Sequence, residues 1–151
     1  MKQETFSAIT IEELLHSDYK NIPDKPGIYR VFVPEGLTVS FSAEISNPAA
    51  PSYPVYKLTE KYAKCEEKSL VYIGKANGRG GLRQRIRQYM QYGCNKAVNH
   101  KGGRAIWQIK DYPRLLLTYE PCEDCEQREH QLLDAYKKRN NEVYPLANWR
   151  R

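Results

Sequence analysis

A small α/β domain of the α+β type, with a three-stranded, mostly antiparallel sheet flanked by helices, is the fold class this 151-residue sequence predicts. Three observations lead there. Short apolar runs of strand composition alternate with stretches of helical period, and turn residues separate them at close intervals. The composition, 40% hydrophobic and 28% charged, is that of a globular chain long enough to bury a core. No apolar run approaches the roughly 20 residues of a membrane span, so no membrane partner is expected. The N-terminal MKQETFSAITIEELLHS lacks the continuous apolar stretch of a secretory signal, and a cytoplasmic chain is expected.

In chain order, Thr10 precedes IEELL with Glu13 three residues on, a capping-box pattern that predicts a helix over about 10–17. A turn-rich connector from Asn21 to Pro26 leads into GIYRVFV, the first strand, closed by Pro34-Glu35-Gly36. Residues 35–68 hold Pro48, Pro51 and Pro54 and end in KYAKCEEK; they read as an inserted excursion without assigned elements. SLVYIG (69–74) is the second strand. Gly78, Gly80 and Gly81 make a turn before a helix from about Leu82 to Tyr92. A short helix follows from Arg104 to Ile109, and LLLTY (115–119) between Pro113 and Pro121 is the third strand. The longest helix runs from Cys122 to Lys138, and Pro145-Leu146-Ala147-Asn148 ends the chain as a loop. With no internal repeat, residues 1–151 read as one domain.

Charge is unevenly placed. The net charge is +6, yet Lys75 to Lys110 carries nine basic residues and no Asp or Glu, leaving the remainder at −3. Such a block is an electrostatic footprint for a polyanion, with Arg79, Arg83, Arg87, Lys96, Lys101 and Arg104 as candidate nucleic-acid contacts. Tyr89, Tyr92 and Trp107 interleave with them, as stacking platforms or as core. Cys65, Cys94, Cys122 and Cys125 include one CxxC pair but no second, so free thiols are favoured over a zinc site.

Two polar residues stand out by helical geometry. Leu82, Ile86, Tyr89 and Met90 form one apolar stripe; Arg85 lies beside Tyr89 on one edge of it, while Arg83 and Arg87 lie on the other. There a guanidinium either grips a phosphate with paired hydrogen bonds or covers the core edge with its stem. Glu129 begins a second stripe with Leu132, Leu133 and Tyr136, as an ion-pair partner or a metal ligand. Glu123, Asp124 and Glu126 suit a helix N-terminus instead.

Gly27-Ile28-Tyr29, Tyr72-Ile73-Gly74, Lys75, Arg85 with Tyr89 four residues later, Glu129 on a later helix and Asn148 near the end come in the order of the GIY-YIG nuclease family, which the chain resembles over residues 27–33 and 69–148. Residues 99–108 (NHKGGRAIWQ) and the ending PLAN are similar to a bacterial subgroup of single-domain members. Two features depart from the family: about forty residues separate the tripeptides where many members have a tight hairpin, and Tyr89 stands where some have His.

The resemblance implies a GIY-YIG-like fold and a DNA endonuclease assisted by one divalent ion, Mg2+ or Mn2+. It implies Glu129 as metal ligand, Arg85 as phosphate clamp, and Tyr72 as general base or water-positioning group. A tyrosine near pKa 10 is a poor base at neutral pH, so Lys75 is expected to lower it. Tyr29 and Tyr89 would shape the site and Asn148 would hold it from the C-terminal loop. Specificity would come from the 35–68 excursion, a partner protein or a second copy of the chain. The alternative expectation is a catalytically silent nucleic-acid-binding module using the same basic block.

Overall fold

Alternation along one strand sets the architecture. In β2 (Gly27–Phe32), Tyr29 and Val31 point to one face of the sheet, while Ile28 and Phe32 point to the other. Both faces are therefore covered. The larger core lies on the Tyr29 face, beneath α1 (Ile11–Leu15) and α3 (Gly81–Gly93). The smaller core lies on the Ile28 face against α4 (Cys125–Arg139). The computed structural model describes residues 8–149 apart from 46, 48, 49, 95, 97, 99 and 101.

Among the described residues the sheet has four strands, not the three expected, in the order β1-β4-β2-β3 with every pairing antiparallel. The addition is β1, only Ile9–Thr10, which pairs with Leu116 and Leu117 of β4 (Leu116–Pro121). Two residues carry no readable alternation, so the strand exists only through its partner. Thr10 caps α1 as the spacing predicts: its hydroxyl accepts from the Glu13 amide, and Glu13 accepts from the Thr10 amide.

Within β3 (Leu70–Ala76), Tyr72 pairs with Val31 but Leu70 pairs with Phe32, leaving Val71 as the extra residue of a bulge. The bulge resets the alternation. Leu70, Ile73 and Lys75 face α4, while Tyr72, Gly74 and Ala76 face Tyr29 and α3.

The excursion contains a helix absent from the expectations, α2 (Val55–Lys64). Its apolar residues Val55, Leu58 and Tyr62, followed by Cys65, fall at i, i+3, i+7 and i+10, and Leu58 and Cys65 are buried. Lysines and glutamates between them mask that stripe. The expected short helix at 104–109 is a 3-10 segment, Arg104–Gln108, and a second 3-10 turn, Tyr112–Arg114, precedes β4. The long helix starts at Cys125, three residues later than expected. Among the described residues no helix is long and apolar enough to cross a membrane.

Candidate active site

β3 is an edge strand, and the candidate residues gather around that edge. Tyr29 reaches across from β2, and its ring lies over Gly74 of β3. A Cβ at Gly74 would sit 2.6 Å from Tyr29 Cζ and 2.8 Å from both its Oη and Tyr72 Cε2. The glycine of the second tripeptide is thus the seat of the tyrosine of the first. Tyr72 packs 6.0 Å from Tyr29 and 5.3 Å from Tyr89, ring centre to ring centre. Tyr89, on the buried stripe of α3, donates its hydroxyl proton to the Gly103 carbonyl at 2.7 Å. Gly103 adopts a left-handed φ of 82°, and a side chain there would strike Tyr72 and Tyr89.

The free edge of β3 is closed by the C-terminal loop. The Asn148 side chain accepts from the Ile73 amide and donates to the Ile73 carbonyl, both at 2.9 Å, and the Ala147 amide donates to the Val71 carbonyl at 2.8 Å. One amide side chain thus takes the place of a strand neighbour, which satisfies the exposed ladder beside Tyr72. The Asn148 carbonyl in turn accepts from Lys61 of α2.

A cleft of about 330 Å³ opens here, lined by Tyr53, Tyr72, Gly103, Arg104, Glu129 and Asn148 among others. Glu129 is the carboxylate in its wall, only 13% exposed; burial raises its pKa, while Lys75, 3.9 Å away, opposes the rise. Lys75 also faces Glu126 at 3.7 Å. Lys75 is not among the cations that tune Tyr72, contrary to expectation. With the bulge behind them, residues 72 and 75 point to opposite faces of β3, and Lys75 pairs with α4. The cation that pulls Tyr72 down is Arg85, and burial outweighs it: Tyr72 is pushed up to about 12, with Glu129 adding to the rise. Arg85 also favours the phenolates of Tyr29 and Tyr89, yet burial carries both well above the usual range. Arg85 hydrogen-bonds Gln88 at 3.1 Å and is half-buried beside the tyrosines.

His100 is the member the sequence did not single out. Fully buried, it lies 2.6 Å from the Tyr29 hydroxyl through Nε2 and stacks on Tyr89 with ring centres 3.9 Å apart and planes 6° apart. Burial is the main cause that pushes it down to about 3, and nearby Arg85 adds to it, so the imidazole is neutral at pH 7. Its spacing from the other histidines and the cysteines carries no metal signature, and its partners lie 71 and 11 residues away in sequence. The only local signal was a histidine inside the NHKGGR segment.

The remaining basic candidates divide. Arg79, Arg87 and Lys96 are exposed. Arg83 donates to the carbonyls of Ile22 and Lys20, tying α3 to the connector before β2. Arg104 donates to the Pro51 carbonyl and lies over the Tyr53 ring. Lys101 lies outside the described residues. Tyr92 and Trp107 belong to the core and so are not stacking platforms. Cys65 and Cys125 are buried, Cys94 is exposed, and among the described residues no three His, Cys, Asp or Glu side chains are grouped to cage a metal. Glu129 fits a hard divalent ion in one manner: a largely hydrated ion attached at a single carboxylate. No family model matches the chain, and neither a curated protein nor a solved structure matches it.

Proposed function

We propose that the chain is a divalent-metal-dependent DNA endonuclease of the GIY-YIG type, hydrolysing phosphodiester bonds at the cleft between Tyr72 and Glu129. The observation that carries the reading is the meeting of three tyrosines, Arg85 and one largely buried carboxylate at a single sheet edge. An acid whose pKa is raised despite a lysine 3.9 Å away still favours a further cation. Glu129 would hold Mg2+ or Mn2+, one ion per site, which when bound neutralises phosphate charge and assists the leaving oxygen.

The chain's own groups supply the rest. Arg85 stabilises negative charge on the phosphate in the transition state, in surroundings dry enough to strengthen that attraction. Tyr72, a phenol at neutral pH, positions the attacking water, and its phenolate form serves as base. Tyr29 and His100 hold Tyr72 in place by packing, and Asn148 keeps the edge of β3 rigid.

The test is nicking of supercoiled plasmid in Mg2+ or Mn2+. Glu129→Gln and Arg85→Ala are each expected to lower the rate about 100-fold or more, with DNA binding retained in Glu129→Gln. Unchanged nicking in both would assign the activity elsewhere. The Lys75–Glu129 pair also has the form of an ordinary structural ion pair, which favours a second reading, a catalytically silent DNA-binding module. DNA binding without cleavage in any divalent ion would select it.

A further inference from the structure

Helix α2 carries a basic face that continues the wall of the cleft. Lys57, Lys61 and Lys64 are spaced i, i+4 and i+7, so they emerge within about 60° of one another around the helix. Facing them, Lys137 comes from the last turn of α4, its Nζ 4.9 Å from the centre of the Tyr144 ring. The four lysines line a groove of about 440 Å³ together with Val143, Tyr144 and two acids, Glu60 and Glu142. Among the described residues none of the four lysines is ion-paired.

This groove is not a separate feature of the surface. Asn148 and Trp149 line both it and the cleft of Tyr72 and Glu129, so the two meet over a shared saddle. Trp149 is 37% exposed there; it stacks on Tyr53 at 4.6 Å and carries Lys61 3.9 Å above its ring. Lys61, pushed down to about 7 mainly by burial and donating to the Asn148 carbonyl, is a strut between groove and site. Lys57, Lys64 and Lys137 are left to meet a ligand. Lysines outside any ion pair, leading away from the cleft past an aromatic ring, match a chain of phosphates. A merely solvated lysine face requires neither an opposing helix nor a wall shared with the cleft.

We propose that the groove between α2 and α4 is the track for the DNA strand flanking the scissile phosphate, with Lys57, Lys64 and Lys137 contacting its phosphates and Trp149 marking the exit from the cleft. The long insertion thereby becomes a substrate-binding element of the same site. The direction of the strand rests on the nuclease reading, whereas the affinity of the groove for a phosphate chain is measurable without cleavage.

The experiment is fluorescence anisotropy of a labelled DNA oligonucleotide in EDTA. It compares the wild type, the Lys57→Ala/Lys64→Ala/Lys137→Ala triple variant, and a charge-matched Lys20→Ala/Lys25→Ala/Lys138→Ala control. The groove variant is expected to bind about tenfold more weakly than the control, or worse. Its slope of log affinity against log salt should fall by about 2, because three phosphate contacts release fewer counterions. A groove variant that loses no more affinity or slope than the control overturns the proposal.

Amine acetylation of the wild-type chain, read by mass spectrometry, guards against a folding defect in the variant. DNA must protect Lys57, Lys64 and Lys137; failure to protect them, or protection by polyglutamate and not by DNA, overturns the track as well. Plasmid nicking separates the two readings. A groove effect without nicking removes the nuclease and keeps the track, while nicking without a groove effect removes the track alone.

Discussion

His100 offers the sharpest test of the site's electrostatics, because its burial makes stability depend on pH where an exposed histidine would leave it unchanged. In the unfolded chain it titrates near 6.5; in the fold it is held down to about 3 by burial and by Arg85. Between those values the unfolded state binds a proton that the native state refuses, so stability falls as pH falls from about 6.5 toward 3. From pH 7 to pH 5 the loss assigned to this group is about 2 kcal/mol, from about 1.4 kcal/mol per pH unit below 6.5. The perturbation is His100→Phe, which keeps a flat ring to stack on Tyr89 and removes the titrating group. Losing the bond to the Tyr29 hydroxyl costs about 1 kcal/mol, but equally at every pH. Other groups, including Glu129 with its raised pKa, titrate in both proteins and cancel in the comparison. Urea unfolding followed by fluorescence at pH 7, 6 and 5 reads the difference. The wild type should lose about 2 kcal/mol more than the variant across that interval. Equal losses within about 0.5 kcal/mol would refute a neutral, buried imidazole at the centre of the tyrosine cluster.

Three further outcomes follow from the same geometry. Gly74→Ala drives a methyl into the Tyr29 and Tyr72 rings; it should cost about 1–3 kcal/mol in urea unfolding and depress nicking, whereas retention of both would show that the rings can shift aside. Asn148→Ala strips the Ile73 amide and carbonyl of their partners, for a loss of about 2 kcal/mol and faster hydrogen exchange at the Ile73 amide; unchanged exchange would mean that the edge of β3 is held by other means. If Tyr72 with its pKa of about 12 supplies the base, the phenolate fraction grows about tenfold per pH unit. The nicking rate should then climb with a slope near 1 between about pH 7 and 9, and a flat profile would restrict Tyr72 to positioning.

Much of this was written in local patterns. The stripe Leu82, Ile86, Tyr89 and Met90 is buried as its spacing predicts, and Arg85 emerges on the Tyr89 side as 100° per residue requires. The Thr10 cap, the two tripeptide strands and the Leu133–Tyr136 face of α4 are likewise short-range, because each depends on residues within a turn or a strand of one another. Helix α2 was legible in principle, through Val55, Leu58, Tyr62 and Cys65, but one fully buried leucine among lysines and glutamates is a weak periodic signal.

What only the tertiary structure decided is which charges and hydroxyls meet. Three residues along the chain suggested that Lys75 tunes Tyr72. Residues 72 and 75 are three apart in a regular stretch of β3 and so sit on opposite faces, and α4 claims the lysine. His100 reaches Tyr29 across 71 residues, and Asn148 reaches Ile73 across 75. The sequence by itself determined the periods of the elements, the basic block and the order of the candidate site residues along the chain. Their pairing and their pKa values belong to the fold, because Coulomb energies and desolvation depend on distances and burial that no local spacing encodes.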